Sequence, residues 1–343
     1  MGGTEQKGTM TRIAINGFGR IGRCSFKQFV DDDRFEVVGI NDLSDLDELA
    51  YLLKYDSVHG WYPRKVSTAD GHLVVDGHKI PFSQERDPAS LPWGDLGVDV
   101  VVEATGALRS REDAAGHLEA GAKRVVISAP SDDADAMFVY GVNDETFDPD
   151  QHYVISNASC TTNCLAPVAK VLSDSFGIEF LMMSTIHAYT ASQTLMDTPT
   201  RKRRRGRAAA VSIIPTTTGA AKATGKVIPE LDGKLDGMAF RVPVEDGSVT
   251  DITAHLSRGV TVEEVHAALA EAAGGRMQGV LRLTDEALVS RDIIGDPHSS
   301  VVDTLSTMLL RNDVVKIVSW YDNEWGYSAR MVDISAVVAG QGA

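Results

Sequence analysis

The sequence predicts an α/β fold in two parts, a doubly wound parallel sheet followed by an α+β part with a mainly antiparallel sheet. Three observations predict it. A glycine-rich turn at residues 17–22 separates a short apolar strand from a helix. Apolar strands and helical segments then alternate as far as about residue 158, which is typical of βαβ units. Beyond that point long apolar runs succeed one another without a helix between each pair, which favours antiparallel pairing.

The length of the chain suits two domains of ordinary size. It has 343 residues, of which 43% are hydrophobic, and a single core rarely extends over so many. We assign residues 11–158 to the first domain and residues 159–323 to the second. Residues 1–10 are mostly polar or glycine and are expected to form a short flexible tail.

Composition argues against several classes of protein. The net charge of −15 disfavours generic binding to nucleic acid or to anionic membranes. No apolar run reaches membrane-spanning length, and the N-terminus lacks the apolar core of a signal peptide. Three cysteines do not make a disulfide framework in a chain this long. We therefore expect a cytoplasmic protein with neither a nucleic-acid nor a membrane partner.

The glycine-rich turn has the pattern G-x-G-x-x-G, with glycines at Gly17, Gly19 and Gly22. It follows the strand at residues 11–16, opens a helix and precedes a second strand at residues 35–40. The first glycine permits a tight turn, the second lets the backbone approach a pyrophosphate, and the third lets the helix pack closely on the strand. Phosphates would lie at the helix N-terminus. This order predicts a Rossmann-type dinucleotide-binding domain.

The second strand ends in Asn41-Asp42, and Asp42 lies 20 positions beyond Gly22 (42 − 22 = 20). A carboxylate there accepts hydrogen bonds from ribose hydroxyls and repels a 2′-phosphate, which favours NAD over NADP. Later strand ends carry Thr105 and Ser128, which we expect at the same sheet edge. The alternative is a glycine turn in an unrelated α/β protein.

Cys160 stands where the apolar residues 153–155 give way to a helix predicted at residues 165–172. Ser159 and Thr161 beside it are polar residues that suit a helix start. A thiol at a helix N-terminus is biased toward thiolate, which suggests covalent attack on a carbonyl carbon. The alternative is a small buried cysteine, and these residues alone leave the two interpretations about even.

His187 follows the apolar run at residues 180–186 and lies 27 positions beyond Cys160 (187 − 160 = 27), so any contact between them is tertiary. A Cys–His pair is the usual way to hold a reactive thiolate near neutral pH. Taken alone, this histidine is better explained by a structural or surface role. Cys164 and Cys24 have no further ligands at metal spacing and are interpreted as structural.

Strands are also predicted at residues 238–244, 248–256 and 314–320. Thr261 and Glu264 form a capping box, which predicts a helix covering one face of their sheet.

Residues 201–207, here called the basic run, hold six basic residues in seven. Thr218 and Gly219 follow in a hydroxyl-rich turn, and Arg241 lies in a predicted strand. Hydroxyls, free backbone N–H groups and guanidinium groups suit a phosphate. We infer a phosphorylated small substrate; a solvated surface or a nucleic-acid patch is the alternative.

Three segments together resemble a known family. Residues 15–23 (INGFGRIGR), 156–164 (SNASCTTNC) and 319–324 (SWYDNE) are similar to phosphorylating glyceraldehyde-3-phosphate dehydrogenases of the form shared by bacteria and eukaryotes. The similarity runs from about residue 11 to the C-terminus. It implies NAD as cofactor, glyceraldehyde 3-phosphate and inorganic phosphate as substrates, no metal, and a homotetramer. It also implies that a C-terminal helix at residues 324–343 completes the first domain.

The resemblance also implies roles for individual residues. Cys160 would attack the aldehyde to give a thiohemiacetal, and His187 would promote the thiolate and act as base during hydride transfer. Phosphate would then attack the resulting thioester. The substrate and the attacking phosphate would be bound by Ser159, Cys160, Thr161, Thr190, Arg204, Thr218, Gly219 and Arg241. The cofactor would be bound by Gly17, Gly19, Arg20, Ile21, Gly22, Asp42, Arg86, Ser128 and Asn323.

Two other functions remain as alternatives at this stage. Erythrose-4-phosphate dehydrogenase is a close relative that uses the same cysteine and histidine but releases a free acid by hydrolysis. A non-catalytic protein that binds RNA or another partner through the basic run is the other. Thr198 stands where NAD-specific members of the family commonly carry leucine, which leaves the strictness of the cofactor preference open.

Overall fold

The computed structural model describes residues 10–341. Of the predicted tail only Met10 falls within this part of the chain, and residues 342–343 of the predicted C-terminal helix lie outside it. No helix in the described part has both the length and the apolar character needed to cross a membrane.

The first part of the chain builds a nine-stranded sheet with helices packed against it. Its elements are β1 (Thr11–Asn16), α1 (Arg20–Val30), β2 (Phe35–Asn41), α2 (Leu46–Lys54), β3 (Tyr55–Asp56), β4 (Gly60–Trp61), β5 (Val66–Ala69), β6 (His72–Val75), β7 (His78–Ser83), β8 (Val100–Glu103), α3 (Arg111–Glu119), β9 (Arg124–Ile127), β10 (Ala136–Met137) and β11 (Val154–Ser156).

The strand order of this sheet is β10-β11-β9-β8-β1-β2-β7-β6-β5, with β3 and β4 forming a separate hairpin. β1 pairs in parallel with β2 on one side and β8 on the other, so the order reverses there. Asn16 lies opposite both Asn41 and Glu103, which brings three carboxyl strand ends level. Open α/β sheets bind ligands at such a reversal, and the predicted Rossmann-type sheet is confirmed.

The second part builds a seven-stranded sheet. Its elements are α4 (Cys160–Phe176), β12 (Ile178–Ala188), β13 (Ile214–Thr217), α5 (Ala220–Val227), β14 (Leu235–Val242), β15 (Ser248–Leu256), α6 (Val262–Gly274), β16 (Leu281–Thr284), β17 (Ser300–Leu310), β18 (Val314–Tyr321) and α7 (Trp325–Val338). The order is β13-β14-β12-β15-β18-β17-β16. β12/β14 and β16/β17 are parallel and the remaining pairs are antiparallel, which confirms a mainly antiparallel sheet.

Two predicted helices can be compared directly with the structure. The helix expected at residues 165–172 is longer, because α4 already begins at Cys160 and ends before Gly177, whose φ is 71°. Its first turn is polar, so apolar periodicity did not reveal it. The capping box of α6 is present: Thr261 Oγ1 accepts from the Glu264 N–H at 3.2 Å, and the Thr261 N–H donates to Glu264 Oε2 at 2.8 Å.

The last helix, α7, returns to the first sheet. Tyr327, Met331 and Ile334 lie in the same buried apolar cluster as Ile13 and Phe26. The apolar face of α4 is buried in another cluster, beneath the second sheet. In sequence, the second sheet therefore lies between the strands of the first sheet and the helix α7 that packs on them. This packing holds the carboxyl edge of the first sheet beside α4.

Substituting Gly22 tests the close packing of α1 on β1. A Cβ added at Gly22 would lie 2.0 Å from the carbonyl oxygen of Gly17. We expect Gly22→Ala to lower the free energy of unfolding by more than about 3 kcal/mol, since the obstructing atom is backbone. Chemical denaturation measures this.

Gly19→Ala is the matched control, because no atom lies within 4 Å of a Cβ added there. It should cost less than about 1 kcal/mol, as expected for a change at a helix N-cap. Equal stability losses in the two variants would contradict the role given to Gly22.

Candidate active site

The junction between β11 and α4 sets the position of Cys160. Ala158 adopts a φ of 54°, a strained conformation for a residue with a Cβ. Ser159 caps the helix, its Oγ accepting from the Thr162 N–H at 3.1 Å. The amide of Asn163 donates to the carbonyls of Asn157 (2.9 Å) and Ser159 (3.0 Å). These bonds make Cys160 the first helical residue, with its thiol near unpaired backbone N–H groups.

Cys160 and His187 meet in the structure. The distance from Cys160 Sγ to His187 Nε2 is 3.4 Å. His187 Nδ1 lies 2.7 Å from the carbonyl oxygen of Ala188, which identifies Nδ1 as the protonated nitrogen. Nε2 is therefore the acceptor that faces the thiol. The tertiary contact required by the sequence hypothesis is present.

Burial controls the ionisation of this pair. It lowers the pKa of His187 to about 3, and Arg241 adds to that effect. Burial also raises the pKa of the Cys160 thiol, while Arg241 and hydrogen bonds from Thr161 oppose the rise. Both shifts favour a neutral thiol beside a neutral imidazole. Transfer of the proton from the thiol to the imidazole makes a thiolate and an imidazolium, whose charges cancel. The thiolate can therefore form without a change in the net charge of the buried site.

Tyr321 is a site residue that the sequence analysis missed. Its hydroxyl bridges Thr161 Oγ1 (2.9 Å) and Thr185 Oγ1 (2.8 Å), which ties α4 to β12. The ring packs edge-on against His187, with centroids 6.0 Å apart. A tyrosine at the end of an apolar strand carries no signal of such a role in the sequence. The bridge also means that the Thr161 side chain is already bonded within the protein.

Arg241 lies directly beside His187, its register partner on the parallel strand β14. Its Nη1 donates to the Ala188 carbonyl at 3.0 Å and to Thr190 Oγ1 at 3.2 Å. Its Nε is buried and has no hydrogen-bond partner among the described residues. The predicted grouping of Thr190 with Arg241 is therefore present, with the charge of Arg241 unpaired by any carboxylate among the described residues.

Of the basic run, the structure brings Arg205 to the site rather than Arg204. Arg204 is exposed, whereas Arg205 is half-buried. Arg205 Nε donates to Thr216 Oγ1 at 3.1 Å and its Nη1 to Ser192 Oγ at 3.2 Å. Its charge also contributes to the lowered pKa of His187. In a run of adjacent arginines, sequence pattern does not tell which side chain turns inward.

Thr218 and Gly219 begin α5, near the strand that carries Thr216. Thr218 Oγ1 accepts from the Ala220 N–H at 3.2 Å, and Gly219 is the N-cap. Gly219 has no side chain with which to cap the helix. The helix N-terminus beyond the Ala220 N–H, together with the Thr218 hydroxyl, suits an anion.

A cleft of about 440 Å³ opens at the carboxyl edge of the first sheet. Gly17, Gly19, Asp42 and Arg86 are among its lining residues. Asp42 is oriented by two backbone N–H groups, since Oδ2 accepts from Phe18 at 2.7 Å and Oδ1 from Ser44 at 2.8 Å. Helix α1 has no acidic residue in its first turn and no side-chain cap. A dinucleotide with its pyrophosphate at α1 and a ribose at Asp42 fits these residues.

The remaining predicted cofactor residues lie around this cleft in different ways. Arg20 and Ile21 occupy the first turn of α1, but the Arg20 side chain is paired with Glu324 and Asp56. Only its backbone N–H is therefore free for a phosphate. Ser128 follows β9 at the carboxyl edge. Asn323 is buried just beyond β18, and its Oδ1 accepts from Ser248 Oγ.

The other two cysteines occupy different surroundings. Cys164 is buried, with its Sγ donating to Ser319, and burial raises the pKa of its thiol to about 11. Burial likewise raises the pKa of Cys24. Neither is within a hydrogen bond of a histidine among the described contacts. Cys160 is the cysteine that the structure equips for reaction.

Replacing His187 tests the pair. We expect His187→Asn to slow iodoacetamide labelling of Cys160 near neutral pH by at least about tenfold, because asparagine cannot accept the thiol proton as the neutral imidazole does. Mass spectrometry of the labelled peptides measures it. His255→Asn, at the far end of β12's partner strand, should label like the wild type.

The same variant changes the pH dependence of stability. His187 holds fewer protons when folded than when unfolded, so this group costs the wild type stability as pH falls from about 6.5 toward 3. His187→Asn should lose less stability over that range. Unchanged labelling together with an unchanged acid profile would remove His187 from this role.

Comparison with known proteins agrees with this geometry. Residues 11–111 match the model of the glyceraldehyde 3-phosphate dehydrogenase NAD binding domain, and residues 159–323 match that of the C-terminal domain. Glyceraldehyde-3-phosphate dehydrogenase of Geobacillus stearothermophilus is 56% identical over 331 residues, covering 96% of this chain and 99% of the relative. Glyceraldehyde-3-phosphate dehydrogenase 2 of Schizosaccharomyces pombe is 53% identical over 330 residues, covering 96% and 98%. The chain belongs to the glyceraldehyde-3-phosphate dehydrogenase family.

Proposed function

We propose that this protein oxidises glyceraldehyde 3-phosphate with NAD and inorganic phosphate to give 1,3-bisphosphoglycerate. The observation that carries the proposal is the 3.4 Å contact between Cys160 and His187, next to Arg241. NAD, when bound, accepts a hydride at C4 of its nicotinamide. Asp42, Gly17 and Gly19 would bind its adenosine and pyrophosphate portions, and Asn323 its carboxamide.

Cys160 and His187 perform the covalent chemistry. The thiol proton passes to His187 Nε2 as the sulfur attacks the aldehyde carbon, and it then moves to the new oxyanion to give a thiohemiacetal. As the adduct is oxidised to a thioester, His187 takes the hydroxyl proton. Phosphate attacks the thioester carbon, the acyl phosphate forms, and the thiolate leaves beside the imidazolium.

Two anion sites would hold the phosphates. Arg241 and Thr190, already hydrogen-bonded to each other, would bind the phosphate of the substrate. Thr218, Gly219 and Arg205 would bind the attacking phosphate; Arg205 takes the place first given to Arg204. Ser159 and Thr161 would contact the substrate through the helix start, since the Thr161 hydroxyl is engaged by Tyr321.

Several features support a homotetramer in a reducing cytoplasm. Leu195, Met196, Val211 and Ile213 are between 68% and 79% exposed, which is unusual for large apolar side chains clustered in one connection. All three cysteines are free thiols. Residues 11–158 with α7 would bind NAD, and residues 159–323 would carry the catalytic groups.

Dependence on phosphate tests the reaction. We expect NADH formation from glyceraldehyde 3-phosphate to require phosphate or arsenate, since no residue is proposed to activate water against the thioester. Absorbance at 340 nm follows it. Equal rates without either anion would contradict the phosphorylating reaction and favour the hydrolytic oxidation of erythrose 4-phosphate. Cys160→Ser should abolish turnover while retaining NAD binding.

Adjacent arginines give a matched pair for the phosphate site. Arg205→Ala should raise the KM for inorganic phosphate about tenfold or more, because a charge-assisted hydrogen bond is worth about 1.5–3 kcal/mol. Arg204→Ala removes the same charge one position away, from an exposed side chain, and should change that KM less than twofold. The reverse order would return the role to Arg204.

A further inference from the structure

Carboxyl side chains from two parts of the chain meet next to the segment that carries Asn323. Asp246, in the turn between β14 and β15, is 2% exposed, and Asp322, just beyond β18, is 1% exposed. Glu324 follows two residues later. The side-chain oxygens of Asp246 and Asp322 lie within 4.8 Å of each other and of His59 Nε2. We call Asp246, Asp322 and Glu324 the carboxyl cluster.

Asp322 is held as an acceptor by three backbone N–H groups. Its Oδ2 accepts from Gly295 at 2.7 Å, and its Oδ1 accepts from Glu324 at 2.8 Å and from Trp325 at 2.6 Å. A carboxylate with that many N–H donors is stabilised in its charged form. Asp322 therefore lies fixed as a hydrogen-bond acceptor within the cluster.

Glu324 already has a cation of its own. Arg20 donates to it from Nε at 2.9 Å and also pairs with Asp56 at 2.9 Å. Lys27 faces Asp56 at 3.9 Å. The arginine and the lysine that approach from α1 are therefore directed to Glu324 and Asp56.

Asp246 has no comparable support. One oxygen, Oδ1, accepts from the Gly247 N–H at 2.9 Å. The other, Oδ2, is buried without a hydrogen-bond partner among the described residues and lies 3.7 Å from His59 Nε2, itself buried and 3.3 Å from Glu324. Burial, and then Asp322, raise the pKa of Asp246 far above its ordinary range. A carboxyl group buried this close to another carboxyl group favours its protonated form.

We propose that Asp246 is held protonated and is a positioning residue for the nicotinamide end of the cofactor. Its O–H donates to Asp322 and joins the β14–β15 turn to the segment that carries Asn323. The inference rests on the proposed role of Asn323 in binding the carboxamide.

Ser248 shows how this turn reaches the site. Its Oγ donates to Asn323 Oδ1 and accepts from the Ala188 N–H at 3.1 Å. With Oδ1 occupied, Asn323 presents its Nδ2–H₂ as the donor to a ligand. The turn from Asp246 to Ser248 thus sets both the amide of Asn323 and the end of β12 that bears His187.

Two substitutions at Asp246 separate the effect of its hydrogen-bond donor from the effect of its ionisation. Asp246→Asn supplies an N–H donor to Asp322 at every pH, whereas Asp246→Ala supplies none. Asp251→Asn, in the strand β15 that follows the turn, is the control, because Asp251 is paired with Lys316 at 2.6 Å. All are made in a Cys160→Ser background, so that no thiol beside the nicotinamide titrates. The probe is NADH, whose fluorescence reports binding and which survives alkaline solution.

The protein that retains Asp246 should bind NADH about tenfold more weakly at alkaline pH than at neutral pH, because the carboxyl pair loses its proton. Asp246→Asn should keep its neutral affinity throughout, and Asp246→Ala should bind about tenfold more weakly already at neutral pH. Asp251→Asn should follow the wild type. Equal pH slopes with Asp246 and with Asn, or unchanged binding with Ala, would overturn the proposal.

Stability supplies an independent readout. Asp246 holds more protons when folded than when unfolded, so its cost to stability grows as pH rises above about 4, the ordinary pKa of Asp. Asp246→Asn should therefore unfold at a higher temperature at neutral pH, by a margin that increases with pH. A margin independent of pH would also overturn the proposal. Dehydrogenase activity is measured separately, so failure of the proposed function is distinguishable from failure of this inference.

Discussion

The attachment of α4 at its first residue is the constraint on which the catalytic site depends. Tyr327 donates its hydroxyl to the Ala158 carbonyl at 3.0 Å, which ties the returning helix α7 to the strained residue before the helix. Tyr321 joins the first turn of α4 to β12 through Thr161 and Thr185. These two tyrosines therefore add directional bonds to the apolar packing that holds α4 against β12.

The catalytic pair is approached by positive charges, although the chain as a whole is negatively charged. The protein carries a net charge of −15, yet Arg241 and Arg205 both approach the catalytic pair. Both guanidinium groups bond to neutral acceptors, to carbonyl and hydroxyl oxygens rather than to carboxylates. Neither charge is therefore paired with a carboxylate among residues 10–341, and a phosphate can supply the missing counter-charge.

A second buried network supports the cofactor cleft. Glu103 is 1% exposed and accepts from Asn16, His117 and Thr105, while Asn41 donates to Asn16 Oδ1 at 2.7 Å. Asn16, Asn41 and Glu103 are level at the carboxyl strand ends, and the Gly17 N–H donates to the Asn41 carbonyl. The network holds the three strand ends in register under the glycine turn. Breaking one of its hydrogen bonds would leave a buried polar group without a partner, which costs about 1–3 kcal/mol.

The sequence by itself determined the local structural motifs of this protein. The glycine turn, Asp42 at its spacing and the capping box of α6 could all be predicted, because each depends on backbone conformation or on helix periodicity within a few residues. The helix N-terminus at Cys160 was placed too late, since its first turn is polar and carries no apolar period. Only the tertiary structure shows that His187 lies beside the thiol and that Arg205 rather than Arg204 turns toward this pair. The same is true of the positions of Tyr321, Ser248 and the carboxyl cluster. These depend on strand register and burial between segments far apart in the chain, where distance and desolvation, rather than residue type, decide which groups interact.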